Sequence, residues 1–200
     1  MTEEYIKIAI EHNQLEILKY FMDKTCRIDK SYIDLAIFYG HLEILKYFNS
    51  VLHVTFIVQD LNLAIAHGRL EVVKYMLDIY DLYDNNSAKY AIYHNQLEIL
   101  KYLWNEKHIV YDKEFMETAI KLNYLEIIEF LISTTPTRIF RKEFINLAIR
   151  KNKLDILKCL YSDLEHEHEH EHEHDNEFIK LAIKCGHLEI VKFLYSKIKC

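Results

Sequence analysis

The stretch GHLEILKYF, Gly40-His41-Leu42-Glu43-Ile44-Leu45-Lys46-Tyr47-Phe48 with Ala36-Ile37 just ahead of it, decides the fold because it recurs seven times. The Ala-Ile pair returns as Ala9-Ile10, Ala36-Ile37, Ala64-Ile65, Ala91-Ile92, Ala119-Ile120, Ala148-Ile149 and Ala182-Ile183. From alanine to alanine the steps are 27, 28, 27, 28, 29 and 34 residues. Self-similarity at a period of this size means that one supersecondary unit is stacked on copies of itself.

Working outward from the pair, the fourth residue after each alanine is Asn13, Gly40, Gly68, Asn95, Asn123, Asn152 or Gly186, which uses all three glycines of the chain. Gly and Asn tolerate the left-handed backbone that ends a helix, so a first helix is predicted to stop there. Two residues later stands Leu15, Leu42, Leu70, Leu97, Leu125, Leu154 or Leu188. A second helix is predicted to start around it, with apolar residues at helical spacing. The alanine is small enough to let neighbouring pairs approach at little entropic cost. The expectation is an all-α chain of about fourteen helices in seven antiparallel pairs. The repeats fall at about 3–25, 30–52, 58–80, 86–107, 113–134, 142–163 and 176–198. They run on without an obvious linker, which predicts one elongated domain over 1–200.

The acid after each of these leucines meets a lysine three residues on: Glu16 with Lys19, Glu43 with Lys46, Glu71 with Lys74, Glu98 with Lys101, Asp155 with Lys158 and Glu189 with Lys192. Each such pair adds about 0.2–0.5 kcal/mol and marks a solvated face. Repeat five departs from the rule with Glu126 and Glu129.

The segments GHLEILKYF, GRLEVVKYM and GHLEIVKFL, each preceded by LAI, resemble the second-helix signature of ankyrin repeats. They are most similar to the degenerate ankyrin repeats abundant in giant DNA viruses of amoebae. The likeness covers nearly the whole chain. Its departures are the missing Thr-Pro-Leu-His opening, replaced by Tyr32-Ile33-Asp34 and Phe144-Ile145-Asn146, and the missing Gly-Ala-Asp turn. The repeats also run shorter than the family's 33 or so residues. The expected fold is therefore an ankyrin-like helical solenoid of seven helix-turn-helix repeats, with β-hairpin fingers reduced or absent. The resemblance implies a viral protein working in the host cytoplasm.

Half of the residues are hydrophobic, and the formal net charge is −6, with most basic residues matched by nearby acids. That balance gives no case for nucleic acid as a partner. Glu3, Glu4, Lys7 and Glu11 interrupt the apolar residues near the start, unlike a signal peptide, and no apolar run approaches the ~20 residues a bilayer requires. Cys26, Cys159, Cys185 and Cys200 are scattered. They suggest no disulfide framework and fit a reducing, cytoplasmic compartment. Cys159 stands at a large apolar position and is expected buried as a small hydrophobe. Small apolar clusters in the linkers, Leu52-Val54-Phe56, Leu82-Tyr83, Ile109-Val110-Tyr111 and Ile139-Phe140, are expected to fold back over helix ends.

Between repeats six and seven lies a His/Glu tract, residues 165–175, which accounts for the long last step. Repeat seven resumes cleanly at Phe178, so the tract reads as an exposed, mobile loop insertion. His166, His168, His170, His172 and His174 could share one face of a strand, or His166, His170 and His174 one face of a helix. Either could offer imidazoles to a divalent metal. A low-complexity tract lacks the fixed geometry and outer shell of a structural site, so the first reading is an expansion tolerated in a loop, with no metal and no cofactor. A metal-binding or metal-buffering protein is the alternative.

No Gly-rich phosphate loop, Gly-x-Ser-x-Gly or His-Glu-x-x-His occurs, and the carboxylates recur with the repeat period. A non-catalytic module is expected. The family resemblance points to the two residues after each Ala-Ile pair as the variable lining of a concave face that binds a protein. From these positions the candidates are Phe38, Tyr39, His67, Tyr93 and His94, an aromatic and histidine set, and Lys121, Arg150, Lys151 and Lys184, a cationic set. A monomer is expected; a stack that self-associates through uncapped end repeats is a third reading.

Overall fold

The computed structural model describes residues 2–24, 28–80, 82, 85–134, 141–165 and 175–198. Among them are fourteen helices and no strand. In pairs, these are α1 (Thr2–Glu11) and α2 (Leu15–Met22), α3 (Lys30–Tyr39) and α4 (Leu42–Ser50), α5 (Val58–Ala66) and α6 (Leu70–Ile79), and α7 (Asn85–Tyr93) and α8 (Leu97–Lys107). There follow α9 (Lys113–Leu122) and α10 (Leu125–Thr134), α11 (Arg141–Arg150) and α12 (Leu154–Glu165), and α13 (Asp175–Cys185) and α14 (Leu188–Ile198). The chain divides into two compact units, Met1–Ile109 with the first four pairs and Val110–Cys200 with the last three.

One turn, used seven times, makes each pair. Asn13, Gly40, Gly68, Asn95, Asn123, Asn152 and Gly186 all have φ between 53° and 78°. Their amides reach back three residues to the isoleucine carbonyl of the Ala-Ile pair, as Gly40 does to Ile37 at 3.0 Å. The next amide reaches five residues back to the alanine carbonyl, as His41 does to Ala36 at 2.9 Å. Together these bonds form the Schellman closure of a helix end. The same two bonds close α1, α5, α7, α9, α11 and α13. The residue after the Gly or Asn then opens the second helix, because its carbonyl accepts the first helical bond, from Leu45 to His41 at 3.1 Å for instance. The Ala-Ile pair thus supplies the carbonyls that end one helix as well as side chains for the core.

Packing follows the period. In the first unit α1 lies on α3, α3 on α5, α5 on α7 and α6 on α8. In the second, α9 lies on α11, α11 on α13 and α10 on α12. All seven alanines are buried. The six acid–lysine pairs predicted three residues apart are present, at 2.7–3.5 Å and exposed.

The first helices need starts as well as stops. Asp29 caps α3 by accepting from the Ser31 amide at 2.8 Å, and Asp112 caps α9 through the Glu114 amide at 2.9 Å. At α5 the acid sits inside the first turn instead. Asp60 accepts from the Ile57 amide at 2.9 Å, is almost wholly buried, and pairs with Lys30 of the preceding helix pair. Partial burial works against the Lys30 charge, but the Asp34 and Asp60 carboxylates outweigh it and hold the ammonium above its usual pKa. Removing the lysine strands a buried carboxylate. Lys30→Met should cost about 2–3 kcal/mol, somewhat below a fully buried pair because half of the lysine is in water. Lys19→Met breaks an exposed pair and should cost under about 0.5 kcal/mol. Urea titration of both variants checks this; equal small losses would show that Asp60 has no need of its cation.

The linker after α4 folds back as expected. Phe56 is buried, with its ring edge-on to Tyr75 and Tyr80 at 6.4 and 6.2 Å. Asn49 ties the linker down by donating to the Val54 carbonyl at 2.8 Å and the Tyr80 hydroxyl at 2.7 Å, while accepting from the Tyr75 hydroxyl at 3.2 Å. Ile109 is buried, but Val110 is 70% exposed. Tyr83, Ile139 and Phe140 lie outside the described residues. Cys159 is half-buried rather than buried.

In the second unit Tyr111 packs edge-on to Phe115 at 6.3 Å, and its buried hydroxyl has no hydrogen-bond partner among the described residues. Burial, followed by the charges of Asp112 and Glu117, pushes its pKa up to about 12. The unfolded tyrosine ionises near 10. The folded pKa is raised, so this contribution is complete below about pH 10 and is lost as pH rises towards 12. Tyr111→Phe should shrink the alkaline loss of stability. At neutral pH it should leave stability unchanged or raise it by up to about 1 kcal/mol, since an unpaired buried hydroxyl is removed. Denaturation midpoints at neutral pH and above pH 10 would test this; a marked loss at neutral pH would mean the hydroxyl is bonded.

Candidate functional site

The residues after each Ala-Ile pair fall on the last turn of the first helix or in the short turn beyond it, where the Schellman closure fixes the backbone. In the first unit they are held a second time, from the next helix pair. The side chain following each Gly or Asn reaches back to the carbonyl two residues after the previous pair's alanine. Arg69 Nε donates to the Phe38 carbonyl at 2.8 Å and Gln96 Nε2 to the Ala66 carbonyl at 3.3 Å. His41 Nε2 stands 3.2 Å from the Glu11 carbonyl. That oxygen can only accept, so this nitrogen carries the proton. Each staple satisfies a helix-end carbonyl that has no partner in its own helix.

The staples explain two of the glycines. A Cβ on Gly40 would lie 2.8 Å from Arg69 Cδ, and one on Gly68 2.6 Å from Gln96 Oε1. Both residues combine a positive φ with the path of a crossing side chain. A Cβ on Gly186 would meet nothing within 4 Å.

On this framework Phe38, Tyr39, His67 and Tyr93 are exposed and His94 is half-buried. Phe38 is 42% and Tyr93 61% accessible, high for aromatic rings. The rings form two clusters. Phe38 lies 4.6 Å from the His67 ring and 5.0 Å from Tyr39, which stacks on His41 at 5.6 Å with planes 9° apart. His94 lies 5.3 Å from Tyr93 and 4.8 Å from Tyr90. Among the described residues no ring contact joins the two clusters. His41 and Tyr90 were not among the predicted residues. His41 directly follows the helix stop, a position that reads as connection until its reach over 30 residues is seen. Tyr90 stands just before Ala91, where Leu35 and Leu63 stand in the preceding pairs; an aromatic replacing an aliphatic was the available signal.

In the second unit Lys121, Arg150, Lys151 and Lys184 are all exposed. They are not equivalent. Lys121 is bound within its own helix to Glu117 at 3.3 Å. Arg150, Lys151 and Lys184 have no carboxylate within ion-pair distance among the described residues. Lys121, Arg150 and Lys184 each occupy a last helical turn, where a cation also offsets the helix dipole.

His166, His168, His170, His172 and His174 lie outside the described residues, between the end of α12 and the start of α13. Among the described residues no three His, Cys, Asp or Glu side chains come together as a metal site, and no helix is long and apolar enough to cross a membrane. No family model matches the chain, and no curated protein matches it.

Proposed function

We propose that the seven helix pairs are ankyrin-like repeats and that the chain is a non-catalytic module that binds a protein through the exposed ends of its first helices. The observation that carries this is the cluster of Phe38, Tyr39, His41 and His67, with ring centroids 4.6–5.6 Å apart on backbone stapled from the next pair. Exposed aromatics on a rigid base lose little entropy when covered, and they are the residue type that most often dominates an interface. Tyr90, Tyr93 and His94 extend the same kind of surface. Arg150, Lys151 and Lys184 would meet acidic groups; Lys121 contributes less because Glu117 holds it. The ankyrin likeness, the viral origin and the host-cytoplasm location belong to this reading and rest on the repeated sequence.

The test is capture of a partner from cell extract by the wild-type chain, by a variant lacking residues 165–175, and by Phe38→Ala/Tyr39→Ala/Tyr93→Ala. The first two should retain the same protein and the third lose it. Loss of capture on deleting the tract, with capture kept by the aromatic variant, would favour a metal-binding role instead. With the partner in hand, truncating the aromatics should mainly raise the off-rate. Reversing Arg150, Lys151 and Lys184 should lower the on-rate and flatten its salt dependence.

A further inference from the structure

Within each unit, a helix pair meets the pair before it with one face and the pair after it with the other, and the period shows which residues make each. The residues four before the alanine and eight after it face backward. They are Tyr32 and Ile44, Asp60 and Val72, and Ser87 and Ile99 in the first unit, and Phe144 and Ile156, and Phe178 and Ile190 in the second; all are buried. In the first pair the same positions hold Tyr5, 46% exposed, and Ile17, 49% exposed. With Ile8 and Phe21 they line an open groove of about 470 Å³. The residue after the alanine faces forward. Ile10, Ile37, Ile65 and Ile149 are wholly buried under the next pair, whereas Ile183 of the last pair is 61% exposed and Leu188 beside it is exposed too.

The exposed faces of the first and last pairs keep the apolar residues of the repeat. Tyr5, Ile17, Tyr20 and Phe21 are the same residues as Tyr32, Ile44, Tyr47 and Phe48, which are buried one pair further on, where α1 lies on α3. Ile183 is likewise the same residue as Ile149, which lies beneath α13. The backward face of the first pair is therefore made for a forward face of this kind, and the last pair exposes one.

We propose that two copies of this chain associate head to tail, the α13–α14 end of one seating on the α1–α2 face of the next through Ile183 and Leu188 against Tyr5, Ile8 and Ile17. The joint copies the contact between consecutive pairs within each unit. It is heterologous, so it closes into a ring or continues as an open chain. One feature of the interior contact is missing. Lys142 of α11 pairs with Glu177 of α13 at 2.7 Å, but the last pair offers Asn176 where that lysine would stand opposite Glu4. The joint is thus held by apolar surface and should persist at high salt.

The test is sedimentation equilibrium over a range of concentrations, on the wild type, Ile17→Lys and Ile183→Glu. Both substituted residues are exposed, so the variants should keep the wild-type circular dichroism and melting curve. The wild-type mass should rise with concentration above the 24.1 kDa of one chain, and each variant alone should stay at one chain. Mixed one to one, the Ile17→Lys chain still offers its α13–α14 end and the Ile183→Glu chain still offers its α1–α2 face. The mixture should regain association, to twice the single mass or beyond, since the other joint sets Glu against Lys. A wild type that stays monomeric throughout overturns the proposal. So does association lost in Ile17→Lys but kept in Ile183→Glu, which would mean that two α1–α2 faces meet. This outcome is independent of the aromatic surface, since neither variant touches Phe38, Tyr39 or Tyr93.

Discussion

Phe48→Ala is expected to destabilise the first unit by about 3–5 kcal/mol, while the same change at Phe21 costs less than roughly half of that. The two phenylalanines stand twelve residues after Ala36 and Ala9 and end the same Lys-Tyr-Phe segment. Phe48 is fully buried, so truncation loses its transfer free energy and leaves a cavity walled by side chains that cannot all collapse. Phe21 borders the open groove, with Tyr5 at 5.6 Å and Tyr20 at 5.4 Å, so solvent and neighbouring rings can fill the gap. Urea denaturation at low protein concentration, with the slope held in common, reads both. Equal losses at the two sites would mean that burial does not follow the repeat position, and the division into forward and backward faces would fail with it.

Gly68→Val is expected to cost about 2–4 kcal/mol, and Gly186→Val about 1–2 kcal/mol. Both glycines hold the left-handed conformation, at φ of 67° and 75°, which a β-branched residue resists. Only at Gly68 must a new Cβ also displace the Gln96 side chain, which costs the bond to the Ala66 carbonyl and leaves that helix end unsatisfied. Asparagine separates the two causes. It already occupies the same conformation at positions 13, 95, 123 and 152, so Gly186→Asn should be nearly silent while Gly68→Asn still meets Gln96. Melting curves of the four variants decide it. If Gly68→Asn proves as harmless as Gly186→Asn, the crossing side chain yields without penalty and the staple is of little consequence.

The helices were legible because their stops are chemical. Gly and Asn at a constant distance from Ala-Ile marked the seven left-handed turns that join the paired helices, though not the left-handed His53 and His108 that follow second helices, and a period near 28 residues left room for two short helices and little else. The solvated lysine–acid pairs were legible because three residues along a helix bring side chains together whatever the fold. Less visible were contacts that depend on how one pair sits on the next. The reach of Arg69 over Gly40, of Gln96 over Gly68 and of Lys30 to Asp60 each spans about a full period, and no local pattern announces it. The two clusters in the aromatic set were hidden for the same reason. Phe38 and His67 stand 29 residues apart in sequence and 4.6 Å apart as rings, while Tyr93 turns to Tyr90 and His94. Lys121 looked like the other cations until Glu117, one turn earlier, was seen to hold it.

The ends of the first helices are the surface proposed to meet a protein. The most direct measurement places a photo-crosslinking phenylalanine analogue singly at Tyr39, at Tyr93 and, on an exposed second-helix position, at Lys46, and irradiates each chain in cell extract. A discrete crosslinked species is expected from positions 39 and 93, lost when Phe38→Ala and His67→Ala are added, and none from position 46. A crosslinked species from position 46 alone, unaffected by the aromatic substitutions, would contradict it and move the interface to the second helices.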